Sequence, residues 1–192
     1  MRRCSWTRMF MVMPNYRRAP IAGGTFFFTV VTYRRRPILT DPQVRSALRK
    51  AVALVRQEQP FVVDAWVLLP DHMHCIWTLP EGDADFSRRW GRIKAIVTRQ
   101  LAAGEKRHPS EAGRRREGTI WQRRFWEHSI RNRGDFCHHM DYVHYNPVKH
   151  GLVSCVAEWP FSSFHRLCRE GVYPHDWGGP RPEVSGVTYG EP

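Results

Sequence analysis

Two histidines stand one residue apart in an apolar stretch of this chain that runs from Leu68 to Trp77. Successive side chains of a strand point to opposite faces, so a strand here would place His72 and His74 side by side on one face. Two imidazoles at this spacing can bind one divalent ion and leave coordination positions open, as a catalytic site requires. Histidines in apolar strands are also packed and hydrogen-bonded without a metal, so the pair alone leaves both interpretations open.

A second stretch carries polar side chains that could complete such a site. The segment between Gly134 and Gly151 has no helix breaker before Pro147, which predicts about four turns of helix from Asp135 with Gly151 as the stop, or a kink or an earlier end near that proline. Tyr142 and Asn146 are four residues apart and would share a helix face, so a phenol and an amide oxygen could both reach a metal held by the histidines. Alternatively, Tyr142 is a core aromatic and Asn146 only caps the helix end.

These stretches and five others resemble one family, the REP-associated tyrosine transposases. They belong to the wider group of IS200-like single-strand transposases, which carry a His-hydrophobic-His (HUH) nuclease site. The resemblance runs from about Tyr16 to Gly178, nearly the whole chain. Its motifs are residues 16–18 (YRR), 23–25 (GGT), 68–74 (LLPDHMH), 121–128 (WQRRFWEH), 142–151 (YVHYNPVKHG), 159–165 (WPFSSFH) and 176–178 (DWG).

The resemblance implies a reaction and a role for each matched residue. The protein would be a metal-dependent endonuclease and strand transferase that acts on single-stranded DNA at hairpin-forming repeats through a 5′-phosphotyrosine. Tyr142 would be the nucleophile, and His72, His74 and Asn146 would bind Mg²⁺ or Mn²⁺. Some relatives in the wider group carry glutamine in place of Asn146, so the shorter side chain here is a departure.

The DNA-binding residues are also carried over from the resemblance. One set would recognise the sequence at the foot of the hairpin, and an arginine set would hold backbone phosphates. The first set is Tyr16, Arg17, Arg18, Gly23, Gly24 and Thr25; the second is Arg34, Arg35, Arg36, Arg123 and Arg124.

Composition agrees with a DNA partner. The 192 residues include 30 Lys and Arg against 18 Asp and Glu, a formal net charge of +12 that suits a polyanion. A solvated basic surface would give the same excess. The five cysteines are scattered without a C-x-x-C pair, which favours a reducing cytoplasm. With a DNA partner, we expect the protein at the nucleoid. No apolar run reaches the roughly 18 residues of a membrane span, and we expect neither membrane nor small-molecule partners.

The order of predicted elements indicates an α+β fold. Strand, helix, hairpin, helix, strand and helix would form a ferredoxin-like antiparallel sheet with helices on one face, followed by a C-terminal extension. Residues 16–178 would form one domain, which we expect to be a monomer. Residues 1–15 would be flexible or precede the true start, and 179–192 would be a disordered tail. The predicted strands cover 25–32, 61–69, 72–79 and 120–125, and the predicted helices begin near 42, 86 and 135.

Three other functions remain open at this stage. The first is a nucleic-acid-binding protein with an idle site, which would bind DNA without metal-dependent cutting. The second is a metal-dependent nuclease in which water attacks instead of Tyr142, so that no covalent adduct forms. The third is a structural zinc protein, which the sequence favours least because only two ligands cluster and Cys75 would face away from them.

Overall fold

The computed structural model describes residues 21–102 and 120–179. Four strands and four helices follow one another within them, with a short 3₁₀ turn, Tyr33–Arg35, after the first strand. The strands are β1 (Thr25–Val31), β2 (Val62–Leu68), β3 (His72–Thr78) and β4 (Trp126–Ser129). The helices are α1 (Pro42–Glu58), α2 (Phe86–Ala102), α3 (Arg133–Lys149) and α4 (Phe164–Arg169). No helix in the described ranges is long and apolar enough to cross a membrane.

The strands form one antiparallel sheet in the order β2-β3-β1-β4. This is the strand order of a ferredoxin-like fold, and it confirms the predicted α+β class. The pairing of β1 with β3 sets Thr29 opposite His74 and Val31 opposite His72. The histidine strand therefore lies in the centre of the sheet, where its position is fixed on both sides.

The prediction that the helices lie on one face is wrong for α3. Helices α1 and α2 pack on the first face, with Phe28, Trp77 and Trp90 in a shared core. Helix α3 packs on the opposite face, where Val143 joins a second core with Phe27. Both faces of the central strands are apolar, as in any sheet that is covered on both sides. The consecutive phenylalanines of β1 show this, because neighbouring rings enter different cores.

Two predicted boundaries are also corrected. The last strand is not 120–125 but Trp126–Ser129, and Trp121 makes only an isolated bridge to Thr32. The strand is short and lies at the edge of the sheet, where one side pairs with β1 and the other does not pair with a described strand. Helix α3 begins two residues earlier than predicted, at Arg133, because the side chain of Asn132 caps it by accepting a hydrogen bond from the backbone N–H of Asp135 (2.9 Å).

Helix α3 does not end at Pro147 but continues to Lys149. The backbone N–H groups of His150 and Gly151 still reach the carbonyls of Asn146 and Val148, both at 3.0 Å. Proline removes the backbone donor that would bond to the carbonyl of Val143, yet the helix continues for two residues beyond it. Gly151 follows the C-cap residue His150, and its φ of +66° is the left-handed conformation that glycine adopts most readily after a helix.

The segment after α3 folds back along β2. Its Ser162 forms a bridge with Val67, and the indole N–H of Trp159 donates to the carbonyl of Leu68 (2.9 Å). Ser163 of this segment is hydrogen-bonded to His144 of α3 (2.9 Å). The extension therefore holds α3 against the sheet.

Candidate active site

The two histidines of β3 are buried side by side on the face that α3 covers. His72 and His74 are 6% and 4% exposed, and their ring centroids lie 4.9 Å apart. Each ring uses Nδ1 for a hydrogen bond: His72 to Asp71 Oδ1 (2.6 Å) and His74 to Thr29 Oγ1 (2.9 Å). Such contacts orient imidazoles in metal sites and leave Nε2 as the nitrogen that can bind an ion.

Two polar atoms of the site are buried without a satisfactory hydrogen bond. Among the described residues, His74 Nε2 and Asn146 Oδ1 both lack a partner of good geometry, and Asn146 is only 1% exposed. Burial lowers the pKa of His74 well below its usual value, and the charges of His72, His150 and Lys149 lower it further, while the Asn146 amide opposes them. His74 is therefore neutral at physiological pH, which is the form that binds metals.

Helix α3 brings Tyr142 to the same place. The Tyr142 ring lies 5.2 Å from the His74 ring and 5.7 Å from the ring of Phe27, between centroids. One turn further along, the Asn146 amide makes a long contact with the carbonyl of Tyr142 (3.4 Å). The structure therefore brings together all four residues predicted for catalysis and metal binding.

Sequence reasoning missed four neighbours of this site. Asp71 and Thr29 orient the two imidazoles, as described above. The ammonium of Lys149 lies 5.1 Å from the centre of the Tyr142 ring, and the ring of His150 lies 5.2 Å from that of His72. Lys149 is seven residues, or two helical turns, after Tyr142, and this spacing was the available signal. No sequence pattern indicates Thr29, because it depends on the register of two strands.

The predicted phosphate-binding arginines lie at the His72 end of the sheet. Residues 34–36 follow Thr32 and residues 123 and 124 follow Trp121, and Thr32 and Trp121 form an isolated antiparallel bridge. The two sets are Arg34, Arg35 and Arg36, and Arg123 and Arg124, all with exposed side chains. Arg35 also donates to Asp71 (3.1 Å). Burial raises the pKa of Asp71, but the hydrogen bonds from His72 and Arg35 outweigh it and lower the pKa below its usual value.

The structure does not bring Gly23, Gly24 and Thr25 to the histidines. They lie at the other end of β1, where Thr25 is four residues, or about 13 Å along the strand, from the position opposite His74, and the two glycines are further away. Gly23 has a φ of +70°, and a side chain on Gly24 would come within 3.1 Å of the ring of Phe26. The turn alone thus explains both glycines. Tyr16, Arg17 and Arg18, together with residues 1–15 and 180–192, lie outside the described residues.

A second group of polar side chains joins β4 to the start of α3. His128, Asp135 and His139 bring one ligand atom each to within 4.8 Å of one another, close enough to hold a cation. Asp135 accepts hydrogen bonds from His128 Nε2 and from the backbone N–H of Arg131, both at 3.0 Å. Burial opposes ionisation of Asp135, but these bonds lower its pKa far below the usual value. The group therefore already forms a satisfied network, and no sequence motif joins its members.

Known proteins resemble this chain over nearly its whole length. Residues 21–146, which include all four predicted catalytic and metal-binding residues, match the family described as "Transposase IS200 like". The chain is 50% identical to the REP-associated tyrosine transposase of Escherichia coli strain K12, covering 93% of this chain and 98% of that protein. It is 44% identical to a provisionally named REP-associated tyrosine transposase of Haemophilus influenzae, covering 87% and 94% of the two chains.

A solved structure shows the same relationship. It is that of a REP-associated tyrosine transposase bound to a REP hairpin, and it superimposes with a TM-score of 0.75 at 50% identity, covering 94% of this chain and 98% of that one. The fold, the sequence match and the arrangement of the site agree. The chain belongs to the IS200-like transposases and, within them, to the REP-associated tyrosine transposases.

Proposed function

We propose that this transposase cuts and rejoins single-stranded DNA beside a hairpin-forming repeat, with Tyr142 as the nucleophile. The observation that supports this most strongly is the position of Tyr142, whose ring lies 5.2 Å from that of His74. The neighbouring His74 Nε2 and Asn146 Oδ1 are buried and lack good hydrogen bonds within the described part of the chain. Buried polar atoms in native proteins are nearly always paired, so these two are suited to a bound ligand.

The ligand that fits these atoms is a divalent ion. Transposases of this family are generally metal-dependent. His72, His74 and Asn146 offer two imidazole nitrogens and one amide oxygen, a donor set that leaves positions for water or phosphate. Mg²⁺ or Mn²⁺ held there would supply a Lewis acid for the scissile phosphate.

The residues of the chain account for the transfer itself. The phenol oxygen of Tyr142 attacks phosphorus and loses its proton, while the bond from phosphorus to the 3′ oxygen breaks and that oxygen gains a proton. The products are a 5′-phosphotyrosine and a free 3′-hydroxyl. Attack by a 3′-hydroxyl on the phosphotyrosine reverses the step, so rejoining needs no ATP. The ammonium of Lys149, 5.1 Å from the ring centre, stabilises negative charge as it develops on the phenol.

The DNA partner is inferred from charge and from the relatives. The related structure holds a REP hairpin, and the exposed arginines of residues 34–36 and 123–124 would hold backbone phosphates. Residues 16–25 would contact the foot of the hairpin. Because nucleophile and histidines belong to the same chain, one monomer suffices for cutting. We place the protein in the cytoplasm at the nucleoid, in keeping with its DNA substrate and the free thiols of its described cysteines.

The direct test is covalent trapping on a labelled hairpin oligonucleotide with Mn²⁺. The wild-type protein should give a protein–DNA adduct that survives denaturation, and Tyr142→Phe should give none. Tyr145→Phe is the matched control, because Tyr145 packs against Trp177 (6.4 Å between centroids) and should keep the adduct. Cutting by Tyr142→Phe without an adduct would mean that water is the nucleophile. Binding without metal-dependent cutting by wild type would instead identify a non-catalytic DNA-binding protein.

A further inference from the structure

Trp126 is the only aromatic residue among those the structure describes whose side chain is exposed. It is 42% exposed, whereas every other phenylalanine, tyrosine and tryptophan in residues 21–102 and 120–179 is partly or fully buried. An indole buries a large apolar surface when it meets a partner, and it has a flat π-face that stacks on other rings. It is also the first residue of β4, an edge strand.

The register of the sheet places Trp126 beside the active site. Trp126 is opposite Thr29, and Thr29 is opposite His74. Directly opposite residues of antiparallel strands point to the same face, so Trp126 and His74 share a face two strands, or about 10 Å, apart. The buried ring of Phe27 contacts the rings of Trp126 (5.7 Å), His74 (5.4 Å) and Tyr142 (5.7 Å). One ring therefore separates the exposed indole from the proposed nucleophile.

The surroundings of Trp126 suit a nucleic-acid strand. The ring of His128 lies parallel to the indole (6.1 Å, 7°) and is stacked in turn on His139 (4.7 Å, 13°). Asp135 holds His128 in this orientation. Glu127, the acidic residue of β4, is buried, and as the residue between Trp126 and His128 it points to the other face. The exposed Arg123 and Arg124 lie three and two residues before the first residue of the strand.

We infer that Trp126 stacks on a base of the single strand close to the scissile phosphate and thereby positions that phosphate for Tyr142. This inference rests on the proposed function and adds to it a residue that contacts the substrate. Every base has a π-face, so such stacking tolerates any sequence, and Trp126 fixes where the strand lies without selecting its sequence. Loss of one such stack should weaken binding roughly 5- to 150-fold.

The test measures DNA binding in the Tyr142→Phe protein, which leaves the oligonucleotide uncut. The hairpin oligonucleotide carries a single-stranded flank in which one nucleotide after another is replaced by an abasic residue. The parent should lose affinity at a particular flank position. Adding Trp126→Ala should weaken binding of the intact strand roughly 5- to 150-fold and abolish the sensitivity at that position. Trp126→Phe should retain most of both, and Leu54→Ala, an exposed apolar residue of α1, should change neither.

The outcomes separate this inference from the proposed function. Should Trp126→Ala bind as tightly as its parent, or bind weakly with the abasic sensitivity unchanged, the stacking role is overturned and the role of Tyr142 is untouched. Should the parent with Trp126 intact fail to bind the hairpin or its flank, the proposed function and the stacking role fall together. Covalent trapping with wild-type Tyr142, run alongside, reports on the nucleophile independently of either result.

Discussion

At the scale of single residues, the Asn146 side chain is expected to bind the metal ion but makes no good hydrogen bond that would stabilise the fold. Its buried Oδ1 has no good hydrogen bond among the described residues, and an unmade bond of this kind is unfavourable for folding. We therefore expect Asn146→Ala to change the free energy of unfolding, measured without metal, by no more than about 1 kcal/mol. The same variant should need roughly 100-fold more Mn²⁺ for adduct formation, because a ligand is lost.

Asn146→Asp is the matched variant for this prediction. It keeps an oxygen at the same position and should form the adduct at a Mn²⁺ concentration near that of wild type. Urea denaturation and adduct formation over a Mn²⁺ series measure the two effects separately. If Asn146→Ala keeps the Mn²⁺ requirement of wild type, Asn146 is not a ligand.

Lys149 gives a second prediction at the residue scale. Its ammonium lies 5.1 Å from the centre of the Tyr142 ring, so removing the charge should slow formation of the adduct. We expect Lys149→Met to lower the single-turnover rate at saturating DNA on the order of tenfold, and Lys149→Arg to restore most of it. A change in DNA affinity with an unchanged saturated rate would instead assign Lys149 to phosphate binding.

At the scale of elements, the sequence predicted those parts of the site that depend on local spacing. The one-residue gap between His72 and His74, and the four-residue gap between Tyr142 and Asn146, each follow from the periodicity of one element. The parts that it did not predict depend on how elements meet. Thr29 reaches His74 only through the strand register, and the position of α3 on the second face of the sheet follows from packing that no periodicity reveals.

Helix α3 and the extension meet at His144, which gives a pH prediction. Burial lowers the pKa of His144 to about 4, although the carbonyl of Met140 opposes the shift. In the unfolded chain the pKa is about 6.5, so below that pH the unfolded state takes up a proton that the folded state does not. The free energy of unfolding should then fall by about 3 kcal/mol as the pH drops from about 6.5 to about 4.

The measurement is urea denaturation across this pH window for wild type and His144→Gln. Glutamine can still bond with Ser163 but does not titrate, so the variant should lose about 3 kcal/mol less than wild type over the same window. The contributions of all other groups are common to the two proteins and cancel in the comparison. Parallel pH curves for the two proteins would show that His144 is not the buried neutral group that the structure indicates.

At the scale of the whole molecule, the question is whether the excess of positive charge acts diffusely or at the site. The formal net charge is +12, and Arg34 and Arg123 are exposed, each two residues after one member of the Thr32–Trp121 bridge. If each contacts a phosphate, the double variant Arg34→Gln with Arg123→Gln should bind single-stranded DNA more weakly for every sequence. Its plot of log affinity against log salt should be shallower by about 1.4, since each contact to a single strand contributes about 0.7.

Arg49 and Lys50 provide the matched control for this last prediction. Both are exposed on α1, which packs on the face of the sheet opposite α3. Changing both to glutamine removes the same total charge far from the site. If only the Arg34→Gln, Arg123→Gln double variant reduces the salt dependence of binding, the DNA backbone lies along the His72 end of the sheet. Equal reductions from both pairs would mean that the basic surface attracts DNA as a whole, and that the arginines near the histidines have no special role in holding it.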